Sequence, residues 1–420
     1  MTRHAGLILG IVLLAQAASA QVTQEGSKLV GTGAVGAAVQ GSSVALSADG
    51  NTAIIGGPAE SFGAGAVWVF TRSGGEWTQQ GSKLMGRDAR LHAHQGSSVA
   101  ISADGNTAIV GGPFDNAYSG AAWVFARSSG KWMQQGHKLV GTGAVGDAKQ
   151  GCSVAISADG NTAIVGGYRD NVSDGAAWVF ARSGGGWSQQ GAKLVGTGAV
   201  GSAVQGSSVA ISRDGNTAII GGSNDSGGAG AAWMFKRDGS GTWTQDGSKL
   251  VGKDAVGAAS QGIAVAISGD GKTAIVGGNQ DNSSTGAAWV YRSTGTTWVQ
   301  QGGKLVGTGA VGIALQGQSV AISADGNTAI IGGPSDNNGA GAAWVFTRNR
   351  GAWTQQGGKL VGPGVLGSAT QGSSVAISGD GNTAILGGPD DNSGAGAVFV
   401  FSTSSFGVWA PAVSRTPGVK

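Results

Sequence analysis

The stretch "SADGNTAIVGG" at 102–112 returns letter for letter at 157–167, with close variants at 47–57, 212–222, 268–278, 323–333 and 378–388. Anchored on the Asp-Gly pair, the copies place Asp49, Asp104, Asp159, Asp214, Asp270, Asp325 and Asp380 at intervals of 55 residues, with one interval of 56. A fixed period of this size restricts a chain to a solenoid, a propeller or an array, because one copy cannot bury its own apolar face. Strand signals choose among these. "SSVAISADGNTAIVGG" reads as two short Val/Ile/Ala runs around a dipeptide that supplies the positive φ angles of a tight hairpin. "GAAWVFAR" (120–127) is a third β-prone run, and "KWMQQGHKL" (131–139) a fourth, broken by a glycine. Helical periodicity is absent, and each glycine would penalise a helix by ~1 kcal/mol. Four short antiparallel strands per repeat match one propeller blade. The expected fold is therefore all-β: a seven-bladed β-propeller of four-stranded antiparallel blades, about 55 residues per blade.

Composition decides whether such a chain can hold a core. Charged residues make up 12%, about half the usual ~25%. Glycine reaches 83 residues, but hydrophobic residues stand at 40% and tryptophan at 13. Disordered segments lack that apolar and aromatic content, and no triplet glycine pattern supports collagen. Trp68, Trp123, Trp178, Trp233, Trp289 and Trp344 hold one slot of the third strand, with Phe399 in the last copy. Apolar residues on both faces of that strand fit a blade sandwiched between neighbours. A second set, Trp77, Trp132, Trp187, Trp243, Trp298 and Trp353, opens the fourth strand. It reads as packing against the adjacent strand, with sugar stacking as the alternative.

The first twenty residues, "MTRHAGLILGIVLLAQAASA", combine Arg3 and His4 with a short apolar run and end in Ala18-Ser19-Ala20. This is the pattern of a cleaved secretory leader. The expected organisation is a leader at 1–20, the propeller at 21–409 and a tail at 410–420, in a secreted or periplasmic protein with no membrane insertion. The single cysteine, Cys152, stands where other copies have serine, so packing replaces disulfides and the thiol reads as buried and inert. The net charge of +3 does not imply nucleic acid. The lysines recur once per copy (Lys83, Lys138, Lys193, Lys249) and read as a dilute ring of solvated charge. The mature start "VTQEGSKL" (22–29) aligns with "WTQQGSKL" (77–84), so residues 22–29 are expected to complete the seventh blade and hide an open edge. Trp409 occupies the same slot as Val22 and makes the tail that follows it a competitor for that place.

The strings "QGSSVAISADGNTAIIGGP" and "GAGAAWVF" resemble the FG-GAP (integrin α-type) propeller family, in particular its secreted bacterial versions. That family's pattern runs roughly "FG-x-SVA … DG … vvGaP … GaaYvF". Gln40, Gln95, Gln150, Gln205, Gln261, Gln316 and Gln371 stand in place of the name-giving Phe. Calcium-binding members carry several acids between the first two strands, whereas "SADGNT" carries one. The resemblance therefore implies the fold without the calcium, and no cofactor or metal is expected.

In a propeller, the loops entering each blade share a face with the loops between strands two and three. There Asp115, Asp170, Asp225, Asp281, Asp336 and Asp391 recur, mostly followed by an amide: Asn116, Asn171, Asn282, Asn337 and Asn392. These are the ligand-binding candidates, a ring of polar groups suited to sugar hydroxyls. Asp and Asn also cap turns with their own backbone, and the two readings stand side by side. Asp170, Asn171 and Asp174 come nearest to a metal loop but lack its alternating acids. One entry loop differs from the rest: "GRDARLHAHQ" (86–95), with His92 and His94 two apart and no third zinc ligand in sight. G-x-S-x-G, H-E-x-x-H and Walker patterns are missing. Catalysis needs unlike groups at one place, whereas near-identical blades offer one group many times, which suits multivalent binding. The sequence thus points to a monomeric, non-enzymatic binding or adhesion module for an extracellular glycan or protein. An enzyme built on 86–95 and a scaffold without a ligand are the alternatives.

Overall fold

The structure is a computed structural model in which residues 23–90 and 92–402 are described. They form seven four-stranded antiparallel sheets; in six the strand order follows chain order, and the seventh takes its outer strand from Thr23–Gln24. The first blade runs Ser43–Leu46, Thr52–Gly57, Ala66–Ser73, Glu76–Gln79. Blades two to six repeat this, and the inner strands of all seven line one central opening. The expected seven-bladed β-propeller is what the chain forms.

The core lies between blades. In the third blade, every residue of Thr162–Gly167 is buried, as are Ala176 to Phe180 of the adjoining strand. Val165 pairs with Trp178. Together with Val154, Ile156 and Phe180 they pack on Ile109, Ala122 and Val124 of the second blade. Trp178 is fully buried, which contributes on the order of 2–3 kcal/mol. Its indole Nε1 donates to the Thr142 carbonyl at 2.9 Å, so the ring buries no orphaned donor. Gly141 lies flat beneath it: a Cβ there would stand 2.1 Å from Trp178 Cδ1. Some of the abundant glycine is thus a complement to the tryptophans.

The second tryptophan set packs as expected. Arg72, Arg127, Arg182, Arg237 and Arg348 lie 5.3–5.7 Å above Trp77, Trp132, Trp187, Trp243 and Trp353. Each arginine Nε also donates to the asparagine of its own hairpin, as Arg182 does to Asn161 Oδ1 at 2.8 Å.

The repeated "SADGNT" builds the turn between the first two strands. Asp159 accepts from Ser157 Oγ at 2.5 Å and from the Asn161 N–H at 2.9 Å, while Thr162 N–H donates to Ser157 Oγ. The turns also join across blades. Ala48 N–H donates to Ala103 O, Ala103 to Ala158, Ala158 to Arg213, Arg213 to Gly269, Gly269 to Ala324, Ala324 to Gly379, and Gly379 back to Ala48. A ring of peptide hydrogen bonds, 2.9–3.1 Å long, thus closes around the axis. Burial pushes the Asp159 carboxyl up, but Ser157 and Asn161 outweigh it and hold it below its ordinary value; Asp49, Asp104, Asp214, Asp325 and Asp380 behave alike. Since the unfolded chain takes up protons first, this stabilisation is complete above an unfolded value of about 3.9. It is lost as pH falls through the lower folded values. Ser157→Ala is expected to raise the Asp159 pKa, read by carboxyl NMR titration, and to move acid unfolding to higher pH.

The seventh blade takes its outer strand from the start of the chain. Thr23 pairs with Ser402 and Gln24 with Phe401, and Leu29 exchanges both backbone hydrogen bonds with Val398 at 2.7 and 3.0 Å. The leader at 1–20, Val22, Trp409 and the tail at 410–420 lie outside the described residues. Among the described residues no helix is long and apolar enough to cross a membrane.

Candidate functional site

The loops between the second and third strands gather on the face where the inner strands begin. Their aspartates turn inward. Asp115, Asp170, Asp225, Asp281, Asp336 and Asp391 are buried to 1% exposure or less. One oxygen of Asp170 accepts the Val145 N–H at 2.7 Å and the other meets Lys193 Nζ at 2.5 Å. Lys138, Lys249, Lys304, Lys359 and Lys28 pair with the other five at 2.5–2.6 Å. Each carboxylate fastens the loop entering its blade to the lysine beyond the outer strand. These lysines are only about 20% exposed, which corrects the expectation of a solvated charge ring: the low-dielectric rim holds each ammonium against its partner. The first blade uses Glu60 with Lys83, a seventh member that a search for Asp alone passes over. Burial raises the Glu60 pKa, and Lys83, the Val35 N–H and Ser61 more than reverse this.

The asparagines after these acids face solvent. Asn116, Asn171, Asn282, Asn337 and Asn392 have φ between 49° and 51°, a left-handed conformation that Asn tolerates better than most residues. The Asp-Asn pair is thus at once a rim clasp and a turn, and the amides are the part it exposes. Asn171 Nδ2 is tied to Asp174 Oδ2 at 2.7 Å. Among the described residues no three His, Cys, Asp or Glu side chains come together as a metal set.

Removing a clasp tests its mechanical role. Asp170→Ala leaves Lys193 and the Val145 N–H without their partner and is expected to cost about 2–4 kcal/mol, read from the denaturant midpoint.

The glutamines in the FG-GAP Phe position are buried. Gln150 Oε1 accepts from the Gly141 N–H at 2.5 Å, and its Nε2 donates to Gly141 O at 3.0 Å. The amide makes a two-way clamp on the entry loop. At the centre, Ser43, Ser98, Ser153, Ser208, Ser319 and Ser374 donate to a glycine carbonyl of the next blade at 2.7–2.9 Å. They rim a cavity of about 190 Å³ that also holds Cys152. Burial pushes the Cys152 thiol up to about 11, so it is protonated at neutral pH, with Sγ 3.2 Å from Gly206 O.

The face is not symmetric. At 86–95, Asp88 accepts from Trp123 Nε1 at 2.8 Å, as Asp254 does from Trp289 in the fifth blade, where the first, third, fourth and sixth blades use a backbone carbonyl. His92 Nδ1 lies 2.9 Å from Phe62 O. His94 instead packs on Phe114, ring centroids 4.5 Å apart, and burial holds its pKa below the ordinary value. Phe114 meets Tyr118 edge-on at 5.4 Å. Lys149 Nζ sits 4.6 Å from the Phe114 centroid and 5.5 Å from both Tyr118 and Tyr168, donating to the Tyr168 hydroxyl at 3.1 Å. Phe62 and Val172, in the corresponding loops of the flanking blades, are 83% and 87% exposed, and Tyr118 is 47% exposed. The positions of Phe62 and Val172 carry Gly227, Ser283, Asn338 and Ser393 in blades four to seven. One sector, spanning blades one to three, therefore bears an aromatic and apolar surface around a caged ammonium. The averaged repeat hides it; the signal was the departures from consensus at Phe62, Phe114, Tyr118 and Tyr168.

A seven-bladed ring with loops converging on one face has the build of a binding or scaffold module. The segment 77–125, from the outer strand of blade one to the third strand of blade two, matches the FG-GAP repeat family. With the same unit repeated around the ring, the match and the fold together fit an FG-GAP repeat β-propeller. Curated proteins provide no match.

Proposed function

We propose that this propeller is a secreted, non-enzymatic adhesion module that recognises an extracellular glycan through the aromatic sector of its loop face. The observation that carries the reading is the cluster of Phe114, Tyr118 and Tyr168 beside the exposed Phe62. Aromatic rings offer a flat apolar face, and tyrosine a hydroxyl at its edge; a pyranose presents matching C–H faces and hydroxyls. The exposed Asn116 and Asn171 amides flank the sector and add donors and acceptors. The remaining amides, Asn282, Asn337 and Asn392, extend a polar rim on which a longer glycan would gain avidity. The aspartates contribute indirectly, by holding these loops in place. Secretion rests on the leader-like first twenty residues.

A glycan array probed with the chain from Gln21 onward, with calcium and with EDTA, tests this. Binding in both conditions is expected, with affinity reduced about tenfold or more in the Phe114→Ala/Tyr118→Ala variant, since each aromatic contact contributes roughly 0.5–1.5 kcal/mol. Asp170→Ala is expected to melt earlier yet bind when folded. An array blank in both conditions overturns the glycan reading.

A further inference from the structure

The opposite face, formed by the hairpin turns, carries one blade-specific feature that a loop-face ligand does not use. In blades one to four and six, an arginine donates to the asparagine of the first hairpin in its own blade. The same arginines reach back to the preceding blade: Arg127 Nη1 to Gln80 and Arg348 Nη1 to Gln301 at 2.9 Å and Thr273 Oγ1 at 3.3 Å. Blade five breaks both halves of this brace. Lys272 replaces the asparagine, and the arginine comes one residue early: Arg292 pairs with Thr273, in the register held by Ala126 opposite Thr107. Because strand side chains alternate between faces, a one-residue shift sends the guanidinium to the other side of the sheet. The regular arginines face the preceding blade, so Arg292 faces the following one. It thus meets Arg348 across the same gap.

The result is a recess of about 310 Å³ between blades five and six, lined by Lys272, Arg292, Arg348 and Arg350, with Asp270 and Asp325. Four cationic side chains face two carboxylates. Both carboxylates are already engaged by their own turns, Asp270 by Ser268 and the Lys272 N–H, Asp325 by Ser323 and Asn327. No salt bridge among the described residues uses any of the four cations. Arg350 stands at φ 49°, where the third and first blades place Gly184 and Gly74. Burial and the neighbouring Arg292 depress the Arg348 pKa, and Asp325 and Asp270 offset this only in part, as expected where like charges crowd together.

We infer that the recess between blades five and six binds a phosphate or sulfate group, held by Lys272, Arg292 and Arg350 and backed by Arg348. Planar guanidinium forks match the oxygens of such groups, and the concave wall concentrates the positive field. The group arrives either as a free oxyanion or as an ester on a sugar.

Calorimetric titration of the full chain at low ionic strength with sodium sulfate, sodium phosphate, glucose 6-sulfate and glucose 6-phosphate tests this. Saturable binding is expected, weakened about tenfold or more in the Arg292→Gln/Arg350→Gln variant, whose fold is checked by circular dichroism. Arg213→Gln, an exposed cation on the same face, is expected to leave binding unchanged. Tighter binding of the esters identifies a sugar-borne group, and equal binding a free oxyanion. The inference is overturned if none of the four binds, if the double variant binds like the native chain, or if Arg213→Gln weakens binding equally.

Discussion

Trp178→Ala is expected to destabilise the folded chain by about 3–5 kcal/mol. The indole is fully buried between the second and third blades and donates its N–H to Thr142 O. Its loss removes the transfer energy of the ring and leaves a void that Gly141, flat beneath it, has no side chain to fill. Trp178→Phe keeps most of the volume and is expected to cost less, because the seventh blade already works with Phe399 in this slot. Urea midpoints of the two variants check both statements. A loss under about 1 kcal/mol for the alanine variant would mean that adjacent blades stay together without this contact.

Removing residues 21–29 is the second large perturbation. It strips Thr23–Gln24 and Leu29 from the seventh blade, breaks Lys28–Asp391, and takes Glu25 from Arg72. Burial of Leu29 accounts for roughly 2 kcal/mol, and leaving the buried Asp391 without its lysine for about 3 more. The third strand of that blade, Ala397–Ser402, would then expose an unpaired apolar edge, which recruits other chains. A lower urea midpoint together with oligomers on size exclusion is the expected outcome. A monomer of unchanged stability would show that another segment can take the place of the outer strand.

The ring, the blade count and the closing strand were legible because each rests on repetition. The period fixed the number of sheets, Asp-Gly located the hairpins, and "SKL" at 27–29 matched "SKL" at 82–84. What repetition could not disclose was where a carboxylate points. Asp170 and its counterparts could equally have lined the surface, since the choice depends on Lys193 folding back over the rim. That lysine is distant in sequence and looks solvated in any local window. The aromatic sector was hidden for the opposite reason: Phe114, Tyr118, Tyr168 and Lys149 each occur once in their slot, and attention to the consensus discards them. Lys272 and Arg292 were hidden likewise, one as a substitution and the other as a shift of one residue.

The unit that repeats in the sequence and the blade that folds are out of step by one strand, as the matched stretch 77–125 shows by straddling two blades. A tandem duplication of one such unit would hand an outer strand to one sheet and three strands to the next, leaving the union of the chain's ends untouched. Ancestors could therefore have gained or lost whole units without an intermediate that carried a bare edge. Individuality could then accrue one sector at a time, aromatics here and cations there, on a frame whose inheritance was never interrupted.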